Sequence, residues 1–187
     1  MQSKLIVLSG PTGAGKSTVI NRLLSRHADW QTVSSYTTRE RRVNEDDTKR
    51  YTYVTVEEFR RLKDAGDIIE AEEYAGNWYG TSRASLQKAL AAGPVVLLDV
   101  KEKGMQFIKQ AFPETKTIYL YISMAEARRR LDMDSRRAHE PHEQRAARLA
   151  AVARLNRQRH IYDYCITSVP NEIEQTVNNV EAAIVAR

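Results

Sequence analysis

A glycine-rich segment near the start of the chain has the spacing of a phosphate-binding loop. It reads GPTGAGKST, with Gly10 and Gly15 followed by Lys16 and Ser17. Its glycines let the backbone wrap an anion with N–H groups at the positive end of the helix that follows. Lysine can bridge the β- and γ-phosphates of a triphosphate, and the serine hydroxyl can ligate Mg²⁺. The candidate ATP-binding residues are Gly10, Pro11, Thr12, Gly13, Ala14, Gly15, Lys16, Ser17 and Thr18.

An acid closes a second apolar run, VVLLD, at Asp99. In proteins with such a phosphate-binding loop, an acid at the end of a neighbouring strand helps to organise the metal ion. An acid in this place can also cap the next helix, but the loop upstream favours a role in the Mg²⁺ shell, through water rather than by direct ligation. The predicted metal residues are therefore Ser17 and Asp99.

A second charged segment, SSYTTRERRVNEDDTKRY at 34–51, mixes basic and acidic residues. Taken alone it cannot be told from a solvated loop. Beside a nucleotide-binding core, however, it suggests a clamp for a second phosphorylated substrate. The forked donors of arginine match phosphate oxygens, and tyrosine hydroxyls add neutral donors.

The elements that would hold these segments follow from hydrophobic periodicity. Apolar runs at 4–10, 94–100, 115–123 and 164–169 predict buried strands, and helical patterns lie between them. A last helix is predicted to begin at Asn171, a favourable N-cap residue. Apolar strands that alternate with helices predict an α/β fold with a central parallel sheet covered by helices on both faces.

Residues 33–93 have a different pattern, which predicts a small mixed lobe inserted into the parallel core. YTYVTV alternates like a half-exposed strand, VEEFRRLKDAG predicts a helix that Gly66 ends, and DIIEAEEYAGNWYG predicts a strand pair. We expect one domain, divided as follows: core 1–32, 94–131 and 146–187; lobe 33–93; helical lid 132–145.

Composition narrows the class of protein. The chain has 187 residues, of which 42% are hydrophobic and 28% charged, and this is ordinary for a globular protein with a core. Cys165 is the only cysteine, so an internal disulfide is excluded and the cytoplasm is the default location. No apolar run approaches a membrane span. The net charge of +5 comes from basic residues mixed with acids, which favours local anion sites over a nucleic-acid track. The sequence leaves monomer and homodimer open.

The charged segment resembles the signature of the guanylate kinase family. Its matching residues are Thr37-Thr38-Arg39, Arg42, Glu45 and Tyr51-Thr52-Tyr53. Together with the upstream loop, the resemblance covers nearly the whole chain. It implies a P-loop nucleoside monophosphate kinase that converts ATP and GMP to ADP and GDP with Mg²⁺. It also implies a set of side chains around the GMP phosphate: Arg39, Arg42, Tyr51 and Tyr79, with Glu45 orienting the arginines.

The resemblance extends to a pocket for the guanine base. Guanine presents adjacent donors at N1 and N2 and an acceptor at O6, so a carboxylate and hydroxyls are its natural partners. Glu70 stands at the family's carboxylate position, and Ser35 and Thr81 stand at its hydroxyl positions. Adenine lacks the donor pair, and a site left with unpaired polar groups discriminates strongly.

Two regions depart from the family pattern. Lys101 stands where the family has a second acid, and a lysine cannot accept the hydrogens that an aspartate accepts. It can instead pair with Glu70 or Glu102, or contact phosphate. In the lid, Arg130 aligns well, whereas the other arginines are Arg136 or Arg137 and Arg145 or Arg148. The predicted catalytic residues are Lys16, Arg39, Arg42, Arg130 and, in the lid helix, Arg148.

Three other functions remain open at this stage. A related enzyme type phosphorylates ribose 1,5-bisphosphate, and Lys101 fits that acceptor, although Glu70 and Thr81 fit GMP better. A catalytically silent module that binds phosphorylated peptides would not need the intact Gly15-Lys16-Ser17. A nucleic-acid binder would show a steep salt dependence of affinity.

Overall fold

The computed structural model describes residues 3–41, 50–74, 76–134 and 142–186. The strands of this part of the chain are β1 (Lys4–Ser9), β2 (Gln31–Thr32), β3 (Ser35–Thr37), β4 (Tyr51–Tyr53), β5 (Ile68–Tyr74), β6 (Asn77–Ser82), β7 (Val95–Leu98), β8 (Lys116–Tyr121) and β9 (Tyr164–Thr167). The helices are α1 (Lys16–Arg26), α2 (Val56–Asp64), α3 (Arg83–Ala92), α4 (Glu102–Ala111), α5 (Met124–Met133), α6 (His142–Arg157) and α7 (Ile173–Val185).

The fold is α/β, with a central parallel sheet flanked by helices. Its described residues fall into two compact units, and β1 runs from the first into the second. The first unit comprises the described residues of Met1–Leu5 and Asp29–Thr115, and the second comprises Ile6–Ala28 and the described residues of Lys116–Arg187.

The second unit holds the loop between β1 and α1. In it β1 pairs with β8 and β8 pairs with β9, all in parallel. The side chains of β1 and β8 are almost all buried, as the continuous apolar runs predict. The prediction of a buried strand at 164–169 is wrong in this respect, because the side chains of β9 alternate between half-buried and exposed at the edge of the sheet. Helix α7 packs on α1 and on β9, and its buried Val177, Val180 and Ile184 have helical spacing. Strand β1 therefore leads into the loop from a buried, parallel part of the sheet.

The first unit contains the parallel pair β2–β7 and a separate mixed sheet. In the mixed sheet the strand order is β4-β3-β6-β5; β3 and β4 are parallel, and β6 is antiparallel to both β3 and β5. One face of this sheet packs on α2 through a cluster of Phe59, Leu62 and Ile68. A Cβ at Gly80 would lie 2.5 Å from the Ile68 side chain, so this close packing requires glycine.

A register shift in β5 decides which residues share the other face. Ile68 pairs with Ser82, but Ala71 pairs with Gly80, so one extra residue lies between the two pairs. The shifted register brings Glu70 opposite Thr81. Directly opposed residues on antiparallel strands project to the same face, and bulges commonly re-aim a side chain in this way.

The structure corrects two details of the predicted elements. Helix α7 begins at Ile173 with Glu172 as its N-cap residue, not at Asn171. Asn171 has a φ of 58°, a left-handed conformation that asparagine tolerates in a turn before a helix. Helix α3 was not predicted, because only Leu86 and Ala89 of its ten residues are buried. None of the helices in the described ranges has the length and apolar character needed to cross a bilayer.

Candidate active site

The loop of the second unit depends on glycine at its first position. Gly10 has a φ of 142°, and a Cβ there would lie 2.5 Å from the carbonyl oxygen of Leu120 on β8. Gly13 and Gly15 also have positive φ values, 85° and 87°. The left-handed region is costly for residues with a Cβ, so the chain can follow this path only with glycine. The path turns successive backbone groups toward one side, as an anion cradle needs.

The first turn of α1 offers its N–H groups to a ligand. Among the described residues, no side chain caps this helix start, where Gly15 is the N-cap, and no acid lies in its first turn. Lys16 Nζ donates to the carbonyl oxygens of Gly10, at 2.7 Å, and Pro11, at 3.4 Å, so the ammonium lies over the loop. The hydroxyl-bearing Ser17 and Thr18 are exposed. These features fit the triphosphate of a nucleotide.

Arg130 is held against the same loop. Its Nη1 donates to the Gly13 carbonyl oxygen and to Ser168 Oγ, both at 3.0 Å. Its Nε donates to Glu126 at 2.6 Å. Hydrogen bonds from Arg129 and then Arg130 lower the pKa of Glu126 to about 2. Glu126 therefore stays ionised at neutral pH and orients Arg130 beside the phosphate loop.

The other predicted lid residues are only partly described. Arg148 lies half-buried on α6, and Arg145 of the same helix pairs with Asp132. Arg136 and Arg137 lie outside the described residues. So do two acceptor-site residues, Arg42 and Glu45, and their predicted roles stay predictions.

In the first unit, Arg39 lies among tyrosines of the mixed sheet. Its guanidinium carbon is 5.7 Å from the ring centroid of Tyr51 and 5.5 Å from that of Tyr53, and Nη2 donates to the Tyr53 hydroxyl at 3.3 Å. Tyr79 meets Tyr51 edge to face, with 6.1 Å between ring centroids. The cluster brings together three residues predicted to bind the acceptor phosphate. One arginine fork and several phenol hydroxyls suit a single phosphate group.

The predicted base-binding residues are also adjacent. Thr81 Oγ1 donates to Glu70 Oε1 at 2.6 Å, and Ser35 is the register partner of Thr81 on the neighbouring strand. Burial raises the pKa of Glu70, and Glu72 adds to this, whereas the hydrogen bond from Thr81 and the charge of Lys101 act in the opposite direction. The site therefore presents a carboxylate next to two hydroxyls on one face of the sheet.

Gly104 of α4 packs against Glu70, a role that was not predicted from the sequence. A Cβ at Gly104 would lie 2.8 Å from Glu70 Oε2 and 3.0 Å from its Cδ. Helix α4 can therefore lie this close to the carboxylate only because Gly104 has no side chain. A glycine inside the first turn of a helix, where it weakens the helix, was the available signal.

Asp99, the predicted Mg²⁺-shell residue, lies in the first unit just after β7. Its Oδ2 accepts a hydrogen bond of 2.5 Å from Arg50 Nη2, and the Arg50 side chain is only 7% exposed. The sequence predicts no role for Arg50 among the charges of 34–51. Lys101 Nζ lies 4.4 Å from the ring centroid of Tyr79, which links the end of β7 to the tyrosine cluster.

The loop and the comparisons with known proteins define the class and the family of this chain. A phosphate-binding loop between a parallel strand and its helix, with an arginine bonded to the loop, is typical of P-loop kinases. Residues 2–187 match the family model described as guanylate kinase. The chain is 32% identical to a guanylate kinase of Pseudoalteromonas translucida, over all of this chain and 88% of the relative, and 33% identical to one of Prochlorococcus marinus, over 95% and 94%. The crystal structure of guanylate kinase from Anaplasma phagocytophilum is similar, with a TM-score of 0.75 and 31% identity over 96% of this chain and 83% of that one. The chain belongs to the guanylate kinase family of nucleoside monophosphate kinases.

Proposed function

We propose that this protein transfers the γ-phosphoryl group of ATP to GMP and releases ADP and GDP. The observation that carries the choice of acceptor is the hydrogen bond of 2.6 Å between Thr81 and the half-buried Glu70 carboxylate. A carboxylate accepts the N1–H and N2–H donors of guanine, and a neighbouring hydroxyl can serve O6. Adenine would direct its N1 lone pair at the carboxylate, which would repel it.

The acceptor phosphate is proposed to bind at Arg39, Tyr51 and Tyr79, together with Arg42. It is already anionic, so no general base and no covalent enzyme intermediate are needed. Catalysis then consists of positioning the two phosphates and stabilising the charge of the transferring group. Arg130 and Arg148 are the proposed lid contributors, and Glu45 is proposed to orient the arginines.

The donor phosphates are proposed to bind along residues 10–18, with Lys16 on the β- and γ-phosphates. The exposed Ser17 hydroxyl fits an Mg²⁺ ion bound with ATP, and Asp99 is proposed to contact it through water. Such an ion would neutralise charge on the phosphates as they react. The hydrogen bond from Arg50 holds the Asp99 carboxylate in place at the end of β7.

The proposed partners are small molecules, not nucleic acid or a membrane, and the protein is proposed to act in the cytoplasm as a monomer or homodimer. The mixed-sign charge and single cysteine support these assignments.

One assay separates the candidate functions. The purified protein is incubated with ATP, Mg²⁺ and, in turn, GMP, AMP, UMP, CMP or ribose 1,5-bisphosphate, and ADP is measured. We expect rapid ADP formation with GMP. Turnover with ribose 1,5-bisphosphate in preference to GMP would contradict the proposal, and no turnover with any acceptor would favour a silent binding module.

Variants assign the roles. Glu70→Ala should raise the KM for GMP by about 100-fold, since it removes a charged hydrogen-bonding partner, and leave the KM for ATP near its normal value. Glu73→Ala, at an exposed position on the same strand, is the matched control. Lys16→Ala should lower kcat by about 100- to 1,000-fold with the fold intact. Equal losses for GMP and ATP in Glu70→Ala would argue against the base assignment.

A further inference from the structure

A lysine and a carboxylate lie close together where helix α4 packs against strand β5 of the mixed sheet. Lys101 is the N-cap residue of α4, and its Nζ lies 4.4 Å from the ring centroid of Tyr79. Its charge also acts on the carboxylate of Glu70, against which Gly104 of the same helix is packed. The start of α4 thus brings one ammonium group to the carboxylate that faces the base.

The two groups have opposite hydrogen-bonding capacity. An ammonium only donates, and an ionised carboxylate only accepts. A 6-oxopurine carries the N1–H donor that the Glu70 carboxylate requires, next to an O6 acceptor. Guanine and hypoxanthine share this pair of atoms, and they differ in the 2-amino group, which only guanine has.

Lys101 also changes how much the 2-amino group contributes to the binding free energy of the base. If an acid stood in place of Lys101, hypoxanthine would leave a buried carboxylate without a donor, and that is a large penalty. With Lys101 in this place, a base without the amino group leaves no second carboxylate unsatisfied. The loss of that amino group then costs only its own hydrogen bond to the Glu70 carboxylate, or about 10- to 100-fold.

We propose that Lys101 sets the acceptor specificity of this protein, so that it phosphorylates IMP as well as GMP. This inference rests on the proposed function, because it requires a purine nucleoside monophosphate bound at the mixed sheet, with its base at Glu70. Adenine remains excluded, because it has no N1–H for Glu70 and would direct its N1 lone pair at the carboxylate.

The test compares kcat/KM for GMP, IMP and AMP in three proteins: the natural protein, Lys101→Asp and Lys103→Asp. Lys103 is exposed on the same helix, so its substitution makes the same change of charge away from Glu70. Nucleoside diphosphates are quantified directly by ion-exchange chromatography, so that no coupling enzyme restricts the base. Thermal melting of each variant checks folding.

We expect the natural protein and Lys103→Asp to use IMP within about 100-fold of GMP, and AMP at least about 1,000-fold less well. Lys101→Asp should widen the gap between GMP and IMP by a further factor of about 100, because IMP then leaves the new carboxylate without a donor. Direct titration with GMP and IMP in the absence of ATP should give the same ratio of Kd values.

Two results would overturn the inference. One is rejection of IMP by the natural protein at the level of AMP while GMP turns over, which leaves the proposed function intact. The other is a GMP-to-IMP ratio in a folded Lys101→Asp that stays within twofold of the natural protein. Absence of turnover with GMP itself would refute the proposed function and, with it, this inference. If Lys101→Asp does not fold, the use of IMP by the natural protein decides alone.

Discussion

Replacement of Gly104 by alanine should impair the use of GMP without weakening the fold. The added methyl group would lie 2.8 Å from Glu70 Oε2, whereas an ordinary contact begins at 3.4 Å. Relief requires a displacement of about 0.6 Å between the methyl group and the carboxylate, as the two distances show. The end of the Glu70 side chain can move more easily than the backbone of α4, so we expect the carboxylate to move.

The magnitude follows from the cost of misplacing a recognition group. A shift of about 1 Å can reduce activity by about 100-fold, so a shift of about 0.6 Å should reduce kcat/KM for GMP by about 10- to 20-fold. The hydrogen bond of 2.6 Å from Thr81 would be strained by the same movement. The KM for ATP should not change, because neither Gly104 nor Glu70 belongs to residues 10–18, which are proposed to bind ATP.

The stability of the fold should rise slightly or stay unchanged in Gly104→Ala. Alanine in place of glycine inside a helix stabilises it by about 0.5–1 kcal/mol. A second close contact, 3.1 Å from the new methyl group to the Cβ of Val100, offsets part of this gain. We therefore expect the melting temperature to stay within about 4 °C of the natural protein.

The assay measures kcat and KM for both substrates, together with a thermal melt. Gln106→Ala, at an exposed position of α4, is the matched control. Natural kcat/KM for GMP in Gly104→Ala would refute the reasoning, since it would show that the carboxylate tolerates the methyl group. A fall of more than about 10 °C in the melting temperature would refute it too, because the clash would then have displaced the helix.

Two further predictions concern pH and the core. Because burial raises the pKa of Glu70, its ionised form is lost as pH falls through a value above that of an ordinary glutamate. The KM for GMP should therefore rise on acidification before the KM for ATP does, and Glu70→Gln should abolish this rise; identical pH profiles for both substrates would exclude it. Asn156, which is buried, accepts from the Tyr119 hydroxyl at 2.9 Å and donates to the Ile122 carbonyl oxygen at 2.8 Å. Asn156→Ala should lose about 2–4 kcal/mol in urea unfolding, because it leaves two buried polar groups unsatisfied, whereas the exposed Asn179→Ala should change stability by less than about 0.5 kcal/mol.

Local sequence patterns were sufficient to predict the glycine-rich loop after β1 and the parallel strands. Gly10 and Lys16 are close in sequence. The backbone path between them depends on positive φ values, and these occur at glycines, which can be recognised in the sequence. Strands β1, β7 and β8 were predictable because both faces of each are buried, which leaves continuous apolar runs. Their observed ends differ from the predicted ones by one or two residues.

Contacts between distant residues were not predictable in the same way. Arg50 and Asp99 are 49 positions apart, and neither carries a local signal for the other. The pairing of Glu70 with Thr81 depends on a register shift, and the alternation in IIEAEEY gives no sign of it. A family resemblance supplied Glu70, whereas Gly104 and Arg50 became visible only with side-chain positions.

The extra residue in β5 also constrains how this lobe can change. Ile68 and Ala71 both pack on the α2 side while Glu70 lies on the other face with Thr81. A one-residue insertion or deletion between Glu70 and the hairpin would shift Glu70 out of register with Thr81 and turn its carboxylate toward the face packed on α2. Length changes at the hairpin around Gly76 would leave that facing untouched, because they fall beyond the paired segment. Insertions and deletions should therefore accumulate at the tip of this hairpin and be rare at its base.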